Sequence, residues 1–290
     1  METTELLKKV HKIEIKTRGI SNQIFSGEYH SAFKGRGMAF SEVREYQPGD
    51  DIRAIDWNVT ARFNHPYIKV FEEERELTVM LLVDVSGSES FGTQKQLKKD
   101  IVTELCAVLA FSAIKNNDKI GVIFFSDKIE KFIPPKKGKS HILRIIRDLI
   151  EFKPQSTLTN IEQALRFFTN VIKKRSIAFL ISDFMTEGYK DALKIANRKH
   201  DLVALRIYDK RELELPNIGL VKLKDTETGQ QKWIDTSAKE VRLHYSVTAK
   251  KREADLKDMF NRSGVDTTTI GTHESYVQPL MNLFKRRNSR

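Results

Sequence analysis

Residues 77–90 read LTVMLLVDVSGSES. The first seven are almost wholly apolar and include β-branched side chains, and a turn rich in Gly and Ser follows. Such a run is typical of a buried parallel strand, although a short buried helix can have the same composition. If it is a strand, Asp84, Ser86 and Ser88 follow at its carboxyl end, where open α/β sheets bind ligands. One carboxylate and two hydroxyls at alternate positions are hard oxygen donors, which suit Mg²⁺.

Beyond this strand, apolar strands alternate with amphipathic helices. Strands are predicted at residues 119–126, 128–133, 176–181, 201–208 and 265–270, and helices at residues 94–117, 141–152, 160–174, 189–200, 239–262 and 276–285. This alternation predicts an α/β fold in which helices cover both faces of a mostly parallel sheet. The two strands within residues 119–133 have no crossover helix between them, so they should form an antiparallel pair at one edge. Residues 220–235 are predicted to form a peripheral hairpin.

Residues 1–74 have a different character. A short helix is predicted at residues 5–16, and the segment that follows is punctuated by glycine, rich in Arg and Asp, and β-rich. We therefore expect an N-terminal extension over residues 1–74 and an α/β domain over residues 75–290. The Arg and Asp residues of the extension are expected to form ion pairs that fix it to the main domain, because unpaired buried charges are costly. Trp57 is interpreted as its apolar anchor.

Composition narrows the class of protein. The single cysteine, Cys106, excludes an intrachain disulfide and a cysteine metal cluster. Residues 1–16 have no apolar signal-peptide core, and no stretch approaches the roughly 18–20 apolar residues of a membrane span. We expect a cytoplasmic protein that can also lie at a membrane surface. The net charge of +11 favours acidic partners such as anionic lipid, an acidic protein face or nucleic acid. Nucleic acid is the least favoured, since zinc-finger spacing and aromatic RNA-binding motifs are absent from the sequence.

Three segments bring oxygen donors to one edge of the predicted sheet. They are the Asp84-x-Ser86-x-Ser88 turn, the sequence STLTNI at residues 156–161, and Ser182-Asp183 at the end of a later strand. If the two strands are neighbours, their acidic ends converge with the threonine loop. Each segment alone is more typical of a turn or a helix cap, so the interpretation depends on their combination.

In this combination the sequence resembles the von Willebrand factor A-type domain and its metal-ion-dependent adhesion site. That resemblance implies Asp84, Ser86, Ser88, Thr159 and Asp183 as the residues that hold Mg²⁺ or another divalent cation. Thr157 is an alternative to Thr159, because Gln155-Ser156 stands where the family has two glycines before its threonine.

A second resemblance lies upstream. Residues 44–57, REYQPGDDIRAIDW, with Ala61-Arg62 after them, resemble the signature of domain-of-unknown-function family 58. That resemblance implies a non-enzymatic bacterial protein that acts with a MoxR-type AAA+ ATPase in chaperone-like assembly or maturation. The adhesion site would then capture an acidic residue of a client protein.

Other function classes fit less well. A phosphotransferase of the haloacid dehalogenase type needs a second carboxylate two residues after Asp84, where Ser86 stands. The G-x-S-x-G nucleophile elbow and the P-loop motif do not occur in the sequence, and the histidines lack metal-ligand spacing. The alternative from a different class is a basic protein that binds nucleic acid or a membrane surface and carries a vestigial metal site.

Overall fold

The computed structural model describes residues 10–17, 19–21, 39–63, 65–72, 77–87, 97–224 and 229–288. The chain divides into a smaller compact unit, Phe33–Leu77, and a larger one formed by Met1–Ala32 together with Thr78–Arg290. Residues 10–17 form helix α1. By this division α1 goes with the sheet, whereas the sequence grouped the N-terminal helix with the extension. Among the helices described, none is long and apolar enough to cross a membrane.

The smaller unit is an antiparallel pair with a helical connection. Strand β1 (Ala39–Glu45) pairs with β2 (Tyr67–Glu72), and helix α2 (Trp57–Phe63) lies between them in the chain. The Arg44 guanidinium makes two 2.8 Å hydrogen bonds to the Asp50 carboxylate, which fixes the signature turn. This ion pair joins two residues of the signature itself.

Trp57 does not have the expected environment. Its side chain is 68% exposed, so the interpretation of Trp57 as a buried anchor was wrong. A tryptophan at the start of a short helix can remain at the surface, since helical position alone does not decide which side chain is covered.

The larger unit is built on a sheet of six strands. The strands of this unit are β3 (Thr78–Asp84), β4 (Lys119–Phe125), β5 (Ile129–Lys136), β6 (Ile177–Ser182), β7 (Asp201–Tyr208), β8 (Leu220–Lys224), β9 (Gln231–Asp235) and β10 (Asp266–Gly271). The sheet order is β10-β7-β6-β3-β4-β5, and every pair is parallel except β4–β5. Strands β8 and β9 form a separate antiparallel pair at the predicted hairpin. The predicted buried parallel strand at residues 77–83 and the predicted antiparallel edge pair are confirmed.

Helices cover both faces of this sheet. They are α3 (Lys98–Lys115), α4 (Lys139–Glu151), α5 (Ile161–Val171), α6 (Lys190–Lys199), α7 (Lys239–Ser263) and α8 (Val277–Asn288). On one face, α5, α6 and the end of α7 pack on Met80 and Leu82 in a continuous apolar core. On the other, α8 places Phe284 against Phe179, with ring centroids 6.4 Å apart. The predicted α/β fold class, a mostly parallel sheet with helices on both faces and one antiparallel edge strand, is therefore confirmed.

Strand β5 differs from its prediction in length. Pro134-Pro135 was expected to end it near residue 133, yet the strand continues to Lys136. Proline is tolerated there because β5 is an edge strand and its register with β4 shifts at this point, which interrupts the ladder opposite the two prolines. Its partner β4 carries Gly121 at this point, where a Cβ would lie 2.8 Å from the Ile133 carbonyl oxygen. The two backbones therefore approach closely only with glycine.

His200 is a core histidine at the end of α6, on the face of the sheet that α5 and α6 cover. It is 1% exposed, its Nδ1 lies 3.0 Å from the Ser176 hydroxyl, and its ring centroid lies 4.3 Å from that of Phe168. Burial, followed by the charges of Lys199 and Arg175, lowers the pKa of His200 from 6.5 to about 4. The imidazole is therefore neutral in the folded protein at neutral pH.

We expect a pH-dependent stability that His200 controls. The unfolded chain binds a proton at His200 near pH 6.5, whereas the folded chain does so only near pH 4. The contribution of His200 to the free energy of unfolding is therefore fully present above pH 6.5, and it should be lost as the pH drops toward 4. Urea denaturation of the wild type and His200→Gln between pH 4 and 8 tests this, because the other titrating groups cancel in the difference. A difference in unfolding free energy that does not change with pH would contradict the assignment.

Candidate metal centre at the carboxyl edge of the sheet

Strands β3 and β6 are direct neighbours, and both end in a buried aspartate. Val83 of β3 lies opposite Ile181 of β6, so Asp84 and the Ser182-Asp183 pair leave the sheet side by side. Asp84 is 1% exposed and Asp183 is 3% exposed. The central strands of an open parallel sheet thus place two carboxyl groups at the edge where such folds bind ligands.

Asp84 is held by the backbone and hydroxyl groups around it. Its Oδ1 accepts the backbone N–H of Ser86 at 3.0 Å, and its Oδ2 accepts the Ser182 hydroxyl at 2.7 Å. Burial, and then the charge of Asp183, raise the pKa of Asp84 to about 7, while hydrogen bonds from Ser182 and Ser86 oppose that rise. Asp84 is therefore a carboxyl group whose ionisation needs more positive charge nearby.

The threonine loop comes to the same edge. The Gly87 N–H donates to the Thr157 carbonyl at 3.0 Å, and the Thr186 hydroxyl donates to the Thr159 carbonyl at 3.4 Å. Asn160 caps helix α5 by accepting the Gln163 N–H at 2.9 Å. The structure thus brings all three predicted segments together.

The structure describes four of the five predicted ligands and the alternative Thr157, and these side chains differ in their exposure. Asp84, Ser86 and Asp183 are buried, Thr159 is partly exposed, and Thr157 is exposed. Ser88 lies outside the described residues. Thr159 stays the predicted ligand, with Thr157 as its alternative.

The chain turns sharply after Asp183. Phe184 has a φ of 59°, a left-handed conformation that bulky side chains rarely adopt. Its N–H donates to the Ser182 hydroxyl at 3.1 Å, and its ring packs edge-on against Phe260 with centroids 5.1 Å apart. Packing and hydrogen bonding therefore hold a strained turn that directs the Asp183 carboxylate.

The family of the chain can now be stated. A family model described as a protein of unknown function, DUF58, matches residues 42–255. The chain belongs to the DUF58 family. It is 25% identical to the uncharacterized protein Rv1480 of Mycobacterium tuberculosis over 292 residues, which cover 99% of this chain and 91% of the relative. It is 28% identical to the uncharacterized protein YeaD of Bacillus subtilis over 131 residues, which cover 45% of this chain and 29% of YeaD.

Solved structures similar to the DUF58 chain are more distant. BatB from Bacteroides thetaiotaomicron has a TM-score of 0.48 and 14% identity, covering 74% of this chain and all 100% of its own. The mussel byssus protein PTMP1 with a zinc-occupied MIDAS motif has a TM-score of 0.35 and 20% identity, covering 46% of this chain and 38% of its own. Similarity at this level does not assign a function to the DUF58 chain.

A buried lysine is the residue that sequence reasoning missed. Lys98, at the start of α3, is 1% exposed, and its ammonium lies 2.9 Å from the Asp183 Oδ2. The same ammonium pairs with Glu212 in the turn after β7. Lysine is almost never buried without such partners. One signal was available in the sequence: Lys98 stands one helical turn before the apolar positions Ile101 and Val102, on the face that enters the core.

Two features of the side chains at this edge suit a divalent cation. Three carboxyl groups, Asp84, Asp183 and Glu212, interact around one directly paired ammonium, that of Lys98. Burial also raises the pKa of Glu212, so the cluster is short of positive charge. In addition, Ser86 offers a buried hydroxyl beside Asp84. Within the described residues there is no group of three or more His, Cys, Asp or Glu side chains placed to hold a metal, so hydroxyl ligands would have to complete the set.

Removal of the Lys98 ammonium should strongly destabilise the protein. Lys98→Met leaves Asp183 and Glu212 buried without their cation, so we expect a loss of about 3–5 kcal/mol in the free energy of unfolding in EDTA. Lys99→Met is the matched control, because Lys99 is less buried and its ammonium donates to the Phe152 carbonyl at 3.0 Å. Urea denaturation measures both. Equal losses for the two variants would show that Lys98 does not neutralise the cluster.

Proposed function

We propose that this DUF58 protein is a non-enzymatic protein-interaction module that binds a partner's carboxylate through a divalent cation, with Mg²⁺ as the first choice. One observation carries the proposal: the Asp84 carboxyl group is buried beside Asp183, with a pKa raised to about 7. A buried carboxylate pair is costly to the fold even where one member, Asp183, is paired with Lys98. Carboxyl groups with strongly shifted pKa values are typical of functional sites, and a bound cation would offset the cost of burying these two.

Five residues would hold the cation: Asp84, Ser86, Ser88, Thr159 and Asp183. When bound, Mg²⁺ would supply a Lewis-acidic position that a partner Asp or Glu can fill. The chain's own part is to present oxygen donors of low total charge, since three of the five are hydroxyls. Positive charge that the chain leaves unneutralised is then available to attract the partner's carboxylate.

Lys98 would act as a positioning residue for this site. It holds Asp183 Oδ2, while Asp183 Oδ1 accepts the Met185 N–H at 3.2 Å. Both oxygens are thereby oriented, and one negative charge is already balanced. This arrangement favours water-mediated contact between Asp183 and a cation over tight direct coordination.

The groups that surround Asp84 support a non-catalytic role. The position two residues on carries the Ser86 hydroxyl in place of the second carboxylate that a phosphotransfer mechanism would use as general acid and base. The groups that touch Asp84 position it and donate to it. We therefore place the chemistry in a partner, and the resemblance to DUF58 proteins indicates a MoxR-type AAA+ ATPase as that partner and an acidic client protein as the second.

Titration with Mg²⁺ tests the cation site. We expect saturable binding by isothermal titration calorimetry at pH 8, where Asp84 is ionised, and loss of at least about tenfold in affinity for Ser86→Ala. Ser237→Ala is the control, since Ser237 is an exposed serine that hydrogen bonds to Asp235. Near pH 7, binding should release protons from Asp84. Absence of saturable Mg²⁺ binding would refute the site.

Capture of a MoxR-type ATPase tests the partner. The wild-type chain should retain the ATPase in Mg²⁺ and release it in EDTA, and Asp84→Ala should not retain it. Failure in all conditions would leave the cation site standing and remove this partner. Binding to DNA or anionic liposomes that falls steeply with salt and ignores EDTA would instead support a basic surface-binding protein.

A further inference from the structure

A second binding surface lies at the outer edge of the sheet, away from the carboxyl edge. Among the residues that the structure describes, strand β10 lies at the end of the sheet and pairs with β7 alone. Between β10, the second half of α7 and α8 lies a cavity of about 720 Å³. We call it the edge groove and define it by six of its lining residues: Arg206, Lys250, Lys257, Thr267, Thr269 and Arg286.

The backbone of β10 presents hydrogen-bonding groups to this groove. The Thr272 N–H donates to the Tyr208 carbonyl at 2.9 Å, so Thr272 faces β7. In a parallel ladder, alternate residues face alternate sides, and therefore Thr267 and Thr269 direct their N–H and C=O groups away from β7. In agreement, the Thr267 carbonyl accepts a hydrogen bond from Arg286 Nη2 at 3.2 Å. The outer side of β10 is thus a template for a further strand.

The groove is positively charged. Its two acidic side chains are each paired with an arginine: Glu253 with Arg206 at 2.9 Å, and Asp266 with Arg287 at 2.7 Å. Lys250 and Lys257 lie one above the other on α7, both exposed. With Arg286, they leave the lining with excess positive charge.

The floor of the groove adds a buried cation. The Arg206 side chain is 7% exposed, and its Nε is buried without a hydrogen-bond partner among the described residues. Glu253 balances this guanidinium, so the excess positive charge of the lining comes from Lys250, Lys257 and Arg286. Apolar side chains, Leu256 and Leu283, also line the groove. The surface therefore combines backbone donors and acceptors, positive charge and apolar contact.

We propose that the edge groove binds an extended acidic segment of a partner protein, which adds to β10 as a seventh strand of the sheet. Strand addition uses the outward N–H groups of Thr267 and Thr269 and the Thr269 carbonyl, and the acidic side chains that alternate toward α7 reach Lys250 and Lys257. The remaining side chains alternate toward α8, where Leu283 lines the groove. This surface is independent of the cation site, so binding to it requires no metal.

A structural role for the lysines makes a different prediction. Lysine at a sheet edge discourages pairing with other chains. If Lys250 and Lys257 only protect the edge, their removal should increase strand pairing and aggregation. If they recognise an acidic strand, their reversal should weaken binding.

The probe is a fluorescein-labelled peptide with the sequence Glu-Val-Glu-Val-Glu-Val, measured by fluorescence anisotropy in EDTA with the full chain. We expect saturable binding that Lys250→Glu/Lys257→Glu weakens by at least about tenfold. The matched control is Lys173→Glu/Lys174→Glu, which makes the same charge change at exposed lysines after α5. Asp84→Ala should bind the peptide as the wild type does, which separates this surface from the cation site.

Two further measurements decide whether the peptide adds as a strand. The same peptide N-methylated at alternate residues keeps its charge but loses backbone donors, so it should bind at least about tenfold more weakly. Amide exchange followed by NMR should show new protection at Thr267 and Thr269 on binding. Equal weakening by both lysine pairs, unchanged affinity for the N-methylated peptide, or unprotected Thr267 and Thr269 amides would each overturn the proposal.

Discussion

Two carboxyl groups buried side by side at the ends of neighbouring parallel strands are the constraint around which the larger unit is arranged. Burial and the nearby charge of Asp183 both disfavour ionisation of Asp84 and raise its pKa. Lys98 supplies one positive charge from α3 and shares it with Glu212. Asp84 keeps a raised pKa beside this ion pair, chiefly because of burial. Under the proposed function, the site would gain stability when a cation binds.

Neighbouring elements hold this unfavourable arrangement. Ser182 donates to Asp84 and accepts from Phe184, so one hydroxyl links the two strand ends. Packing of the Phe184 ring maintains the left-handed turn after Asp183. Sites that bind ligands commonly store strain and unpaired charge in this way, because a fully satisfied cluster would have no affinity left for a ligand. In the same unit, the buried acidic groups lie at the carboxyl edge, and Lys250, Lys257 and Arg286 line the edge groove beside β10.

Much of the fold followed from the sequence. The apolar run at residues 77–83 identified the central strand, and the missing crossover within residues 119–133 identified the antiparallel edge. Convergence of the three donor segments also followed, because neighbouring parallel strands end on the same side. These conclusions depend on local pattern and on the general topology of parallel sheets, both of which a sequence carries.

Other features depend on contacts between distant residues. Lys98 lies 85 positions before Asp183, and only the tertiary fold shows that its ammonium reaches that carboxylate. The continuation of β5 through Pro134-Pro135 depends on the register shift between β4 and β5, which only the strand pairing in the structure shows. The exposure of Trp57 required knowledge of what covers α2. The raised pKa of Asp84 likewise depends on its burial and on the charge of Asp183, which only the folded structure brings close to it.

The pKa of Asp84, measured with and without Mg²⁺, tests the central claim most directly. Carbon-13 NMR can follow the side-chain carboxyl of Asp84 as the pH is changed, with Asp84→Asn used to assign the signal. The account predicts a pKa near 7 in EDTA and a decrease of more than about one unit in saturating Mg²⁺. A pKa near the ordinary value in EDTA, or a raised pKa that Mg²⁺ leaves unchanged, would contradict it.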